Sequence, residues 1–242
     1  MKKISFLLGA LTILCFSACK KDSKPEAPAY TCAACKATPD AIAANDGSNK
    51  GIYKGVVIGS SGTIIFNLAN SGTTITAAMV IDGVTVNLTS NVSIVAGQSY
   101  VAPFTGTLNG SPVSISFSVS SIGQNPTVTT SSIPGHPSST FAIIKETSAS
   151  LIECFEGTYT TTKPETGTFN FILSRSLKVY SGVSKKDGST STGTFDGTIN
   201  ANNELLDNSA QKVFGKLTAD NMAGTFLDGN NSTVNITSKR TF

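Results

Sequence analysis

Between Val113 and Val119 every second residue is apolar and every intervening one is serine: Val-Ser-Ile-Ser-Phe-Ser-Val. Successive side chains of a β-strand point to opposite faces, so this segment can bury one face and wet the other only as a strand. The same period of two returns at Ile64, Phe66 and Leu68; at Val84, Val86 and Leu88; and at Phe169, Phe171 and Leu173. It returns again at Phe195, Gly197 and Ile199, and at Val213, Gly215 and Leu217. Beyond residue 50 there is no convincing helical period. The chain is therefore predicted to be all-β. Charged residues make up only 14% of it, well under the usual quarter. Ser, Thr and Asn must then supply the wetted faces, and β-branched Thr suits a pleated surface.

Helix signals are confined to two short stretches. Thr38-Pro39-Asp40-Ala41-Ile42-Ala43-Ala44 offers a capping hydroxyl, a proline suited to the first helical position and an early acid, which predicts two turns. Thr147 to Phe155 is predicted to form a second short connector.

The strands repeat as a set. Gly51-Ile52-Tyr53 stands 11 residues before Gly62-Thr63-Ile64-Ile65-Phe66, and Gly157-Thr158-Tyr159 stands 10 before Gly167-Thr168-Phe169-Asn170-Phe171. In each copy an Asp-Gly turn ends 21 residues after the second glycine, at Gly83 and Gly188. Glycine accepts the positive φ of tight hairpin turns, so both pairs are predicted to join strands. A fourth pair, Phe104 to Asn109 and Phe195 to Asn200, matches in order but not in spacing, which predicts one longer hairpin in the first copy. The expected architecture is two tandem, related antiparallel β units, small barrels or sandwiches, at 51–147 and 148–242. One continuous barrel built from both copies is the alternative.

Lys2 and Lys3 precede an apolar run from Ile4 to Phe16 of 13 residues, short of the roughly 20 that span a bilayer. With small Ser17 and Ala18 at its end, segment 1–18 reads as a secretory signal peptide. Phe16-Ser17-Ala18-Cys19 resembles the lipobox of bacterial lipoproteins, with Phe16 where Leu is usual. The resemblance implies cleavage before Cys19, diacylglycerol on its sulfur and acylation of its new amine. Such an anchor would be effectively permanent. Lys20 to Pro28 then reads as a polar tether at about 3 Å per residue, within a 19–50 segment that also holds the short helix and a Cys-x-x-Cys pair. The start Cys19-Lys20-Lys21-Asp22 resembles lipoproteins of the Bacteroidota and implies an outer-membrane site, facing periplasm or cell surface.

Cys32-Ala33-Ala34-Cys35-Lys36 is the sharpest local motif. In an oxidising compartment Cys32 and Cys35 can form a local disulfide, leaving Cys154 as a small buried hydrophobe. Alternatives are a bond from either to Cys154, a redox-active pair, or, by resemblance to a rare attachment in which Lys replaces the usual His, a covalent haem using Lys36. His136, the single histidine, reads as an exposed loop residue. Asp82, Asp187 and Asp228 read as turn formers rather than paired acids or a calcium loop. Tyr53, Tyr100, Tyr159 and Tyr180 could contribute to a glycan platform.

A formal charge of +3 with no basic cluster beyond the tether excludes nucleic acid as a partner. No nucleophile elbow, phosphate loop or metal-ligand spacing is present in the sequence, so neither catalytic residues nor a metal or cofactor are expected. The functional expectation is a non-enzymatic, lipid-anchored binding or structural module, with the membrane as one partner and an envelope protein or glycan as another. A hydrolase or glycan-processing enzyme with dispersed residues is the first alternative. A redox or haem carrier using Cys32 and Cys35 is the second.

Overall fold

The computed structural model describes residues 30–58, 62–209 and 211–242. It is all-β, with sixteen strands among the described residues. The first eight are β1 (Gly51–Ile58), β2 (Gly62–Leu68), β3 (Ile75–Ile81), β4 (Val84–Thr89), β5 (Tyr100–Leu108), β6 (Ser111–Val119), β7 (Thr127–Ser132) and β8 (Thr140–Glu146). They form one antiparallel sheet in the order β7-β6-β5-β4-β3-β2-β1-β8. The sheet curls into a nearly closed barrel, and among the described residues no pairing joins β7 to β8.

The last eight are β9 (Glu153–Thr161), β10 (Thr166–Ser174), β11 (Val179–Lys186), β12 (Thr192–Ile199), β13 (Glu204–Asp207), β14 (Val213–Thr218), β15 (Asn221–Leu227) and β16 (Thr233–Arg240). Each pairs with its successor, and β16 returns to β9 from Val234↔Thr161 to Arg240↔Phe155. This is a closed up-and-down barrel, which leaves no free sheet edge.

The serine-apolar alternation falls on β6, where Val113, Ile115, Phe117 and Val119 are buried and the serines are not. The first three repeated landmarks occupy equivalent places: β1 and β9, β2 and β10, and the turns after the third strand of each barrel. Asp82 and Gly83 both take positive φ, 48° and 75°, as a tight hairpin requires. The fourth pair does not correspond. Phe104 lies on the fifth strand of its barrel and Phe195 on the fourth of the other, and the first unit holds no extra hairpin. The string fails as a marker because an alternating strand that ends in Asn suits any exit into a turn.

Neither predicted helix forms as expected. Thr38 to Ala44 yields only a 3-10 turn at Ala43–Asn45. Distant side chains take its backbone donors: the Asp40 N–H donates to Glu146 Oε1 at 2.6 Å and the Ile42 N–H to Asn70 Oδ1 at 3.3 Å. Thr147 to Phe155 makes a tight bridge from Thr147 to Ser150 and then enters β9.

β1 is buried along its whole length because it has two cores to serve. Tyr53 and Val57 join the interior of the first barrel. Val56 and Ile58 face outward into a second cluster with Ile152, Cys154, Ile172 and Val183, which joins the two barrels. Asn170 on β10 donates to the Val57 carbonyl at 2.5 Å across the same contact.

Lys54 lies on that outward face, wholly buried, with its Nζ 2.6 Å from Glu146 Oε2. Glu146 also accepts the N–H groups of Asp40 and Ile152, the latter at 3.1 Å. One carboxylate thus ties the N-terminal segment, the first barrel and the connection into the second.

That segment crosses one end of the second barrel. Tyr30 donates to the Arg240 carbonyl at 3.1 Å, the Cys32 N–H to Asp220 Oδ2 at 2.8 Å, and Arg240 Nη2 to the Lys36 carbonyl at 2.6 Å.

Removing one member of a buried pair strands the other charge. Lys54→Met is therefore expected to lower unfolding free energy by about 3 to 5 kcal/mol in urea titrations. Adding Glu146→Gln removes the stranded charge while keeping an acceptor for one of the two N–H donors, which reach different oxygens of the carboxylate, and is expected to recover part of the loss.

Candidate binding cavity

The two barrels use the same strand count differently. In the first, Tyr53, Phe66, Phe104 and Phe117 meet at the centre with ring centroids 4.3 to 6.3 Å apart, and the interior is packed. In the second, Phe155, Phe171, Leu173, Leu205, Leu217 and Met222 fill the interior toward the end crossed by the N-terminal segment. Toward the other end, where the β9–β10, β13–β14 and β15–β16 hairpins turn, the barrel is open and encloses a cavity of about 920 Å³. That volume lies near the upper end of the roughly 300 to 1,000 Å³ typical of small-molecule pockets.

Six aromatic rings line it: Tyr159, Phe169, Tyr180, Phe195, Phe214 and Phe226. Five of them, all but Tyr159, form a connected belt. Phe169 meets Phe195 at 6.1 Å, Phe195 meets Phe214 at 5.8 Å, and Phe214 meets both Tyr180 at 5.6 Å and Phe226 at 5.7 Å. Most of these contacts are edge-to-face, the arrangement favoured by the ring quadrupole.

Strand period places the rings inward, and glycines in the same inward phase make room for them. A side chain at Gly157 would collide with the Phe169 ring, and one at Gly167 with Tyr159. Gly182 underlies Phe195 in the same way, and Gly197 underlies Tyr180. Each ring is thus bedded on a neighbouring strand rather than standing into the lumen, which leaves the axis open.

Polar groups sit at the rim. Tyr159 Oη donates to Glu165 Oε1 at 3.2 Å, and Lys186 Nζ donates to Glu165 Oε2 at 2.7 Å. The Lys186 hydrogen bond holds the Glu165 carboxyl below the usual carboxylate range, so it is charged at neutral pH. Burial, together with the adjacent Glu165, pushes the Tyr159 hydroxyl up to about 12. Tyr180 Oη is spent on the Leu206 carbonyl at 3.1 Å, and burial raises its pKa. Asp207, Ser209, Lys212 and Asp228 complete the polar rim. Val213 and Leu227 add an apolar lip, exposed by 46% and 60%.

The residues singled out from sequence lie elsewhere. Cys19 lies outside the described residues. Cys32 and Cys35 are joined as a disulfide, Cα atoms 5.3 Å apart, on the segment crossing the opposite end of the barrel. Cys154 is a free thiol in the cluster between the barrels, 3.7 Å from the Gly55 carbonyl, and burial pushes it up to about 12.

His136 is not an exposed loop residue. Its side chain is only 15% exposed because it turns back onto the β3–β4 hairpin, placing Nε2 3.3 Å from the Asp82 carboxylate. The four tyrosines make no common platform, since strand phase turns them into two separate interiors. Tyr53 and Tyr100 are buried in the first barrel and donate to the carbonyls of Asn49 and Val92. Asp228 accepts the N–H groups of Asn230 and Ser232, closing a hairpin turn. Among the described residues no group of three or more His, Cys, Asp or Glu side chains could hold a metal ion, and no helix is long and apolar enough to cross a membrane.

Sequence reasoning missed the cavity. The available signal was the glycine that recurs in the inward phase beside an aromatic on the next strand. Compared with protein-family models, curated proteins and solved structures, the chain matches none.

The thiols have distinct expected behaviour. Alkylation of the folded protein, read by peptide mass, is expected to label none of Cys32, Cys35 and Cys154. Reduction should expose the first two, and Cys154 should react only after denaturation, because its sulfur is sealed between barrels and held as the unreactive thiol.

Proposed function

We propose that this protein is a binding module of the bacterial envelope that holds one small apolar molecule in its second barrel, with the first barrel as a packed scaffold. The carrying observation is the open, ring-lined cavity of about 920 Å³ beside a barrel of equal strand number that is filled. Eight strands enclose an interior that can be packed with side chains or can hold one small ligand. The tyrosine hydroxyls of the wall already donate within the protein, so the cavity offers a ligand chiefly carbon surface. Its proposed place is the outer membrane, through lipid on Cys19, as the lipobox resemblance implies. The N-terminal segment crosses the end opposite the mouth, which accords with a cup held by its base.

Titration of the full chain in lipid nanodiscs with the uncharged fluorophore N-phenyl-1-naphthylamine, empty discs subtracted, is expected to show saturable one-to-one uptake. Phe214→Ala, which removes the ring shared by three belt contacts, is expected to weaken uptake about tenfold. Val101→Ala, on the exposed face of the first barrel, should leave it unchanged. Uptake that fails to saturate, or is indifferent to Phe214, removes this reading.

A further inference from the structure

The wall of the cavity constrains the ligand further. Ring faces carry the negative end of the aromatic quadrupole, so a lumen built from six of them attracts cations and disfavours anions. No Lys or Arg stands among the deeper lining residues, where Phe169, Tyr180, Ser184, Phe195 and Ile236 lie. A buried carboxylate, sulfonate or phosphate would therefore find no cation in that wall, and an unpaired charge is costly to take from water.

At the rim three carboxylates, Glu165, Asp207 and Asp228, line the cavity against one lysine, Lys212. Two further cations stand at the mouth, Lys186 on Glu165 and Lys163 on the Asn230 carbonyl. The mouth thus carries both signs, and the selection by charge lies in the wall.

We infer that the cavity selects an uncharged or cationic ring-bearing molecule, inserted ring first with any polar group left at the rim, and that it rejects organic anions, free fatty acids included. This inference rests on the binding reading above and names the class of ligand for the same site. The apolar lip of Val213 and Leu227 extends the carbon surface beyond the belt and suits a ligand whose rings fill the lumen and whose substituent emerges between them.

A matched pair of probes separates the two readings. N-phenyl-1-naphthylamine and its 8-sulfonate share one ring system and differ by a single negative charge. With the full chain in nanodiscs, the uncharged probe is expected to bind more tightly by about tenfold or more. Gly229→Lys, in the β15–β16 turn at the mouth where an added side chain meets no atom within 4 Å, is expected to strengthen the sulfonate several-fold and leave the uncharged probe within about twofold. Equal or tighter binding of the sulfonate by the unaltered chain would falsify the charge selection while leaving the cavity as a binding site. An unchanged sulfonate affinity in Gly229→Lys would show that charge is not what sets the preference and would overturn this inference. Binding of neither probe overturns the binding reading itself, and this inference with it.

Discussion

The buried contact between Lys54 and Glu146 is the constraint on which the arrangement of the whole chain depends. A charge taken wholly out of water must be met on all sides. Glu146 meets Lys54 from β1, the Asp40 N–H from the N-terminal segment and the Ile152 N–H from the connection between barrels. Asp40 and Lys54 stand 106 and 92 residues from Glu146 in the chain. Their convergence fixes where the N-terminal segment lies, where the first barrel ends and at what angle the second begins. The apolar cluster of Val56, Ile58, Cys154, Ile172 and Val183 then seals the joint but could tolerate sliding. The hydrogen-bonded charges supply direction that a hydrophobic contact lacks.

With the joint fixed, the difference between the barrels becomes a matter of how large side chains are seated. In the first, Phe66, Phe104 and Phe117 stand into the lumen and pack against one another, one pair stacked and two edge-to-face. In the second, inward glycines on adjacent strands let Tyr159, Phe169, Tyr180 and Phe195 lie along the wall. The same number of strands therefore yields a plug in one case and a cup in the other. An open cavity arises here without any exotic residue, by removing side chains at positions that a packed barrel would fill.

Much of this was legible in the sequence, and the remainder fails for physical reasons. Alternation in Val113–Val119 states its face directly, because the strand period is a local property. The recurring Gly-aromatic strings of β1, β2, β9 and β10 reported the tandem organisation, since each pair of strands forms the first hairpin of its barrel. The Thr38–Ala44 helix did not form because Glu146 and Asn70, far along the chain, offered its backbone better partners than a helical turn would. The cavity was illegible for a related reason: alternation says that Phe195 and Gly182 face inward, not that one will lie over the other. That depends on pairing register, which is a property of two strands rather than one.

The strap from Tyr30 to Lys36 across the sealed end of the second barrel carries a mechanical consequence. Tension applied at the N-terminus reaches the body first through the Tyr30–Arg240, Cys32–Asp220 and Lys36–Arg240 contacts. These sit at the β14–β15 turn and the end of β16, so force enters at the base and the hairpins around the mouth lie off its path. A pull on this strap therefore leaves the aperture undistorted. The N-terminal segment and the opening of the cavity occupy opposite poles of one barrel.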